Sequence, residues 1–415
     1  MVDVLVIGAG AAGCVAAIKA AEAGARVALI EKNDKIGRKI MITGKGRCNM
    51  TNLKKWSEFS THLHNKPAFL KPAFHNFSNS DTVEFFESIG VETVLTRDDR
   101  VFPKSMLASS VVDALARRIG QLGVETHFSC DVTKVTRAAD HFVTGYIREK
   151  GGKFAPGAIQ SRTVIVATGG LSYPATGSTG AGYEIAQDFG HTIRRTFPSL
   201  TAMTPERFDT RLIGVELLNV TATLTVGRDM VACEFGDLQF TEGGIEGPVG
   251  FKLSRRAVWA LLNGDKVEVS IDLKPAVSLD LLQERVRREA ILLEIEPHNF
   301  ERKKRQLLRK LMPEALIDPF RDSCQLTLDN LATRLKDWRF KITDYVGYRR
   351  AVVTAGGVSL DELVSRTMAS RNAPGLYFAG EVIDLDGDTG GYNLQIAFST
   401  GALAARSAAE YCSKN

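Results

Sequence analysis

The sequence has no apolar run long enough to cross a bilayer, because glycine or charge interrupts every hydrophobic stretch. A membrane-spanning protein is therefore not expected. Its six cysteines (Cys14, Cys48, Cys130, Cys233, Cys324, Cys412) are scattered and never form a C-x-x-C pair. That spacing argues against a disulfide scaffold and against a zinc site, so no metal is expected; it fits a reducing compartment, and the expected location is cytoplasmic. Strong charge of one sign is also missing. The 415 residues carry a formal charge of +5 with no long basic run, which is not the footprint of a dedicated nucleic-acid binder. Internal repeats and low-complexity segments are absent. What is left is a globular composition, 44% hydrophobic and 24% charged, long enough for two or three domains.

Against that plain background the first thirty-odd residues stand out. Val4–Ile7 is a short β-branched run that reads as a buried parallel strand. Gly8, Gly10 and Gly13 follow with G-x-G-x-x-G spacing, then an alanine-rich helix to Ala23, Gly24, and a second strand at Val27–Ile30. The glycines allow a tight turn, close approach of backbone to a pyrophosphate, and close helix–strand packing. The helix start offers free N–H groups to the phosphates, and Glu31 ends the second strand where a carboxylate accepts ribose hydroxyls. This segment lacks a positive leader and carries Lys19 and Glu22, so it reads as a buried dinucleotide-binding βαβ unit and not as a signal peptide.

Next, Gly37, Gly44 and Gly46 interleave with Lys32, Arg38, Lys39, Lys45 and Arg47, a pattern that brings N–H groups and cations to a phosphate or a ring. Thr82–Ser88 and Ser109–Gln121 read as helices, and Thr96–Pro103 as a polar loop. Short alternating strands (Val124–Phe128, Asp131–Thr136, His141–Arg148) precede an apolar strand at Thr163–Ala167. By analogy, such a meander is usual in FAD domains of the glutathione-reductase type and sets backbone near Val132 against the adenine. Ala167, Thr168 and Gly169 form a small-residue exit at a strand's carboxyl end, where ligands sit in open α/β sheets. The glycines after Tyr173 have G-x-x-G-x-G spacing and do not count as a second fingerprint. Strand-like alternation returns from Arg194, with Thr241–Pro248 as a glycine-rich loop. Helices follow at Leu281–Leu293 and Phe300–Leu311, where Arg302–Arg305 reads as a solvated face. Finally, Leu376–Ala379 is a strand ending in Gly380 and Glu381. A glycine-rich loop closing at Gly391 leads into a buried helix starting near Tyr392, Asn393 and Leu394. Glu381 can hold ribityl hydroxyls, and the helix start can point its N–H groups at the flavin N1/C2=O edge.

With these motifs in this order, the sequence resembles the aminoacetone oxidase-like, or BaiN-type, family of bacterial FAD-dependent oxidoreductases over essentially its whole length. The resemblance implies an α/β protein: a Rossmann-like FAD-binding domain of the glutathione-reductase type built from both chain ends, with an inserted β domain and a small helical insert. The expected parts are 1–193 and 346–415 for FAD, 194–275 and 326–345 for the β insert, and 276–325 for the helices. It implies FAD contacts near Ala12, Glu31, Arg38, Lys39, Val132, Glu381, Asn393 and Leu394. Lys45 is a departure, since a small residue is usual there.

The chemistry is read less sharply. Cys48 has no nearby partner, so disulfide reduction is set aside. An oxidase of a small amine such as aminoacetone and an NAD(P)H-fed reductase of activated C=C or C=N bonds both fit; a transient nicotinamide needs no fingerprint of its own. From other classes come an RNA-associated flavoprotein using the basic helical insert and a non-catalytic FAD binder. The substrate is taken to be a small molecule, and the oligomeric state is left open. Candidate catalytic groups are Tyr392 and Asn393 at the flavin edge, Lys45 with Arg47 beside the reduced ring, and Glu242 as an acid–base group. His191, at a helix end, reads as a cap.

Overall fold

Strand β1 (Val2–Ile7) is apolar on both faces, and Val4, Leu5 and Val6 have no exposed surface, which places it at the centre of a parallel sheet. It feeds helix α1 (Ala11–Glu22) and then β2 (Val27–Ile30). A short helix α2 (Arg38–Ile42) follows, then β3 (Lys153–Val166), β4 (Leu376–Phe378) and the long helix α3 (Tyr392–Lys414). The computed structural model describes residues 1–414. In the sheet, β4, β3, β1, β2 and Glu125–His127 lie side by side and parallel, with Val4 opposite Thr163 on one side and Val27 on the other. Contacts divide the chain into two units, Met1–Phe197 with Val352–Asn415, and Pro198–Ala351.

In the first unit the two chain ends interlock through small residues. A Cβ on Gly401 of α3 would meet the Ala12 carbonyl oxygen at 2.4 Å, and one on Gly380 would meet Ala12 Cβ at 2.8 Å. The meander differs from expectation in one respect. β3 runs unbroken: its first half pairs antiparallel with Phe142–Lys150 and its second half lies parallel to β1. Gly151 and Gly152, both at positive φ, make the hairpin turn that allows this. The expected polar loop at Thr96–Pro103 instead contributes to a three-stranded sheet through Arg100–Pro103, which pairs with Thr51–Asn52 and Thr93–Leu95.

A buried polar knot fastens α3 to this region. Gln395 Oε1 accepts the hydroxyls of Thr51 (2.6 Å) and Thr82 (2.9 Å), while its Nε2 donates to the Phe77 carbonyl (3.1 Å) and Ser399 Oγ (2.9 Å). Gln395→Leu leaves the buried Thr51 hydroxyl without its acceptor and is expected to cost about 1–3 kcal/mol. A lowered urea midpoint at unchanged slope checks it.

The second unit is a closed six-stranded barrel. Its strands, in spatial order, are Met203–Pro205, Gly244–Glu246, Asp229–Thr241, Glu216–Val226, Val267–Asp272 and Trp338–Tyr345. Phe240, Trp338 and Phe340 cluster in its core, with Trp338 and Phe340 centroids 4.8 Å apart. The loop expected at Thr241–Pro248 is a strand end, a further strand and the start of helix Gly247–Leu262. Pro248 occupies its first turn, where a missing N–H costs nothing. Helices Leu279–Leu292, Phe300–Leu311 and Glu314–Ser323 form the helical part. Its basic cluster is largely engaged. Lys303 caps the Leu293 and Glu294 carbonyls, Lys304 meets Glu301 at 2.7 Å, and Arg305 meets Glu314 at 2.6 Å and also Asp318.

Candidate functional site

A long cavity in the first unit opens over the carboxyl ends of β1, β2 and β3. Its wall combines Gly8–Ala12, Glu31–Asn33, Arg38–Ile40, Val132, Ala167–Gly169, Gly380–Glu381 and Asn393–Leu394. Most of the residues singled out in the sequence thus converge. Gly13 is off the wall but essential to it: a Cβ there would stand 1.8 Å from the Gly8 carbonyl oxygen. One on Gly8, at φ +99°, would meet the Ala167 oxygen at 2.6 Å. Backbone therefore crosses backbone at this turn with no room for a side chain.

At one end, Glu31 is nearly buried. Its Oε2 accepts the Ala9 N–H (2.7 Å), and its Oε1 accepts the Asn33 N–H (2.8 Å) and the Asn33 side-chain amide (2.6 Å). Asn33 Nδ2 also donates to the Thr176 carbonyl at 2.9 Å, tying this end to the glycine turn that the spacing argument set aside. Thr176, Gly177, Ser178 and Thr179 line the cavity, so that turn is part of the wall. Gly177 and Gly180 at φ +103° and +90° are what bend it there; glycine before a helix was the available signal. Lys32 pairs with Asp131 at 3.0 Å and Arg38 with Asp34 at 2.8 Å.

In the middle, Lys39 Nζ lies 2.9 Å from Glu381 Oε2 and 3.1 Å from Ser172 Oγ. Glu381 Oε1 also accepts from Ser172 Oγ (2.5 Å) and the Thr354 N–H (2.9 Å). Burial alone would raise the Glu381 carboxyl; the Lys39 charge and these donors outweigh it and hold it below the usual range. Glu381 is therefore an ionised anchor that fixes Lys39 on the wall.

At the other end, the start of α3 brings Asn393 and Leu394 to the cavity wall. Several expected placements differ from the geometry here. The Asn393 side chain is not turned to chemistry: it clamps the preceding loop, accepting the Gly387 N–H (2.9 Å) and donating to the Gly387 (2.8 Å) and Asp388 (3.1 Å) carbonyls. Tyr392 is buried off the wall, 4.6 Å from the His62 ring and 4.9 Å from Phe59, and burial pushes its phenol up. Gly391 packs on Thr51, whose carbonyl carbon a Cβ would meet at 2.5 Å. Gly44, Lys45 and Arg47 also stand off the wall. Lys45 faces solvent at φ +58°, and Arg47 folds back over Phe102 and onto the Gly44 carbonyl. Glu242, in the other unit, keeps 81% of its side-chain surface and lies 3.9 Å from Arg350. His191 is more than a cap: it is buried between Glu362 (3.2 Å) and Ser370 (2.7 Å).

Sequence reasoning missed a cluster beside α3. His62 Nδ1 and His64 Nε2 reach the two oxygens of Asp388 at 2.9 and 3.1 Å. Burial would raise the Asp388 carboxyl, but the two imidazoles outweigh it and hold it at about 2. Because the folded value lies below the ordinary 3.8, this stabilisation is present above about pH 4 and is lost as pH falls towards 2. An Asp388→Asn protein is expected to lose that acid limb. Acid titration followed by intrinsic fluorescence would show a flatter fall in stability below pH 4 than wild type.

The residues fit FAD. The glycine turn leaves backbone N–H groups at the start of α1 for a pyrophosphate, a carboxylate ends β2, and a second helix start faces the far end of the cavity. Fold and cavity together define an FAD-dependent oxidoreductase. A family model described as the HI0933-like protein Rossmann domain matches residues 2–407, and the chain belongs to that family. It is 32% identical over 420 residues to the 3-dehydro-bile acid delta(4,6)-reductase of Clostridium scindens, covering 98% of each chain. It is 33% identical over 414 residues to the ribosomal RNA dihydrouridine synthase of Escherichia coli, covering 96% of each. Among solved structures, the 3-ketosteroid delta1-dehydrogenase of Sterolibacterium denitrificans superposes with a TM-score of 0.51 at 14% identity, covering 99% of each chain, which shows the shared fold.

Proposed function

We propose that this protein is a flavin-dependent reductase of a carbon–carbon double bond conjugated to a carbonyl, fed by NAD(P)H. The observation that carries this reading is the full-length similarity to two enzymes whose names share one chemistry. A delta(4,6)-reductase of a 3-oxo steroid and a synthase of dihydrouridine both saturate a C=C conjugated with a C=O. The amine-oxidase alternative has no such support. In this reading the first-turn N–H groups of α1 hold the pyrophosphate, Glu31 the adenosine ribose, and Lys39 with Glu381 the ribityl region. The N–H groups of Asn393 and Leu394 meet the flavin's pyrimidine edge, where the helix dipole favours the negative charge of the reduced ring. The bound cofactor supplies hydride; the chain supplies position and electrostatics.

The deciding experiment is anaerobic. The yellow protein is mixed separately with NADH, NADPH and aminoacetone, and the reduced form is then mixed with a 3-oxo-4,6-diene steroid or with uridine-containing ribosomal RNA. Bleaching by a nicotinamide, with colour restored by either acceptor, is the expected outcome, and the acceptor that restores it names the substrate class. Bleaching by aminoacetone alone, with colour returning only in air, would replace the reductase by the oxidase.

A further inference from the structure

We propose that the turn Thr176–Thr179 and the helix it feeds, Ala181–Asp188, form a second clasp on the cofactor's pyrophosphate, with the Ser178 hydroxyl as its side-chain donor. The inference rests on the reading above only in placing that pyrophosphate over the start of α1. It does not depend on which substrate is reduced. A clasp of this kind needs no G-x-G-x-x-G spacing, only donors aimed at an anion.

Ser178 has a hydroxyl with nothing to bond. The residue is only 6% exposed and lines the cavity, yet among the described residues its Oγ has no hydrogen-bond partner. Water can serve it while the cavity is open. Once a cofactor fills the cavity, the hydroxyl needs an acceptor on that cofactor or stays buried and unsatisfied. Its place on the wall is well defined. A Cβ on Gly169, at the exit of β3, would stand 2.9 Å from Ser178 Oγ and 3.8 Å from Lys39 Nζ, so hydroxyl and ammonium flank the same glycine. Lys39 spends one N–H on Glu381 and one on Ser172, which leaves its third donor for the cavity.

The helix start beside Ser178 is also uncapped. Gly180 precedes Ala181–Asp188 with no side-chain cap, and Thr179 and Ala181 both line the cavity. The N–H groups of Ala181 and Gly182 find no acceptor among the described residues. Glu184, the acid of this first turn, is exposed to solvent. The start is held in place on two sides: a Cβ on Gly182 would meet Thr168 Oγ1 at 2.1 Å, and one on Gly177 would meet Asn33 Nδ2 at 2.6 Å. This helix and α1 thus bring two positive ends to one cavity, with Lys39 on the same wall. That arrangement suits two adjacent negative charges, which a diphosphate carries and a ribityl chain or an adenosine lacks. A flavin mononucleotide brings only one phosphate, so the clasp also selects the dinucleotide.

The test titrates the apoprotein, freed of its flavin, with FAD, ADP and adenosine by calorimetry. In Ser178→Ala, affinity for FAD and for ADP is expected to fall about 10-fold, the loss of one hydrogen bond to a charged group, while adenosine binds as it does to wild type. Phosphorus NMR of the FAD-loaded protein gives a readout that needs no affinity. One of the two pyrophosphate resonances should move in Ser178→Ala, and the other, held over α1, should stay. Unchanged ADP affinity with both resonances in place overturns the proposal. Equal losses for ADP and adenosine overturn it too, because they would make Ser178 a merely structural residue. A wild-type apoprotein that takes up no FAD overturns the cofactor placement, and the clasp with it.

Discussion

Gly13→Ala is expected to yield a protein that no longer retains FAD through gel filtration, with the cofactor affinity down at least 100-fold. The cause is a single carbon. An alanine Cβ at this position would stand 1.8 Å from the Gly8 carbonyl oxygen, far inside any van der Waals contact, and the next nearest atom is the Gly8 carbonyl carbon at 3.0 Å. The obstacle is backbone, which cannot swing aside as a side chain can. Relief requires α1 to back away from the β1 turn, and Gly8 cannot follow, because it is itself pressed against Ala167 and Thr168. The N–H groups at the start of α1 would then leave the position at which they meet a pyrophosphate. Small shifts of a fixed donor array are costly because its value lies in prior orientation. Equilibrium dialysis of the apoprotein with FAD, together with circular dichroism to show that the sheet is intact, checks the outcome. An Ala substitution at Gly120, on the exposed face of helix Ala108–Gln121 and away from the cavity, adds a Cβ that meets nothing within 4 Å; it serves as the control and is expected to bind FAD as wild type does.

Lys39→Met is the second large effect. The Lys39–Glu381 pair is mostly shielded, with 22% and 18% of the side chains exposed, and Glu381 also takes hydrogen bonds from Ser172 and Thr354. Removing the ammonium leaves a charge in a low-dielectric wall without its cation. For fully buried pairs that costs about 3–5 kcal/mol, and partial exposure brings the expectation here to about 1–3 kcal/mol. The Glu381 carboxyl, released from its main counter-charge, should take up a proton at a higher pH than in wild type. The double change Lys39→Met/Glu381→Gln should recover part of the loss, because an amide keeps an acceptor for Thr354 and carries no charge. Thermal melts of the four proteins close the cycle. Additive losses would mean that the two side chains act independently.

These positions also show where the sequence was readable. The βαβ fingerprint, Glu31 and the closing helix are local signals: strand, turn and helix follow one another, and each residue's task is set by its immediate neighbours. Residues whose position depends on distant partners were harder. The turn at Thr176–Thr179 joins the cavity wall because Asn33 reaches across to the Thr176 carbonyl, a contact between segments far apart in the chain. Lys45 and Arg47 looked like cofactor ligands by spacing, but Phe102 draws Arg47 away through its aromatic face. Tyr392 looked like a flavin neighbour because it begins the right helix; it is the next two residues that line the cavity, while the phenol packs into Phe59 and His62. The helix Gly247–Leu262 was hidden by glycine and proline at its start, residues that read as loop until a strand delivers the chain to them.

The interlock between α1 and α3 has a bearing on biogenesis. The segment that completes the cofactor unit emerges from the ribosome after the whole of Pro198–Ala351 has been made. Until then β3 lacks its neighbour β4, and the far end of the cavity has no floor. Synthesis at roughly 5–20 residues per second imposes a wait of many seconds during which apolar strands stand exposed while the barrel can already close. FAD capture is therefore a late event in the life of the chain, and flavin supply during expression should govern how much of the protein reaches its native form.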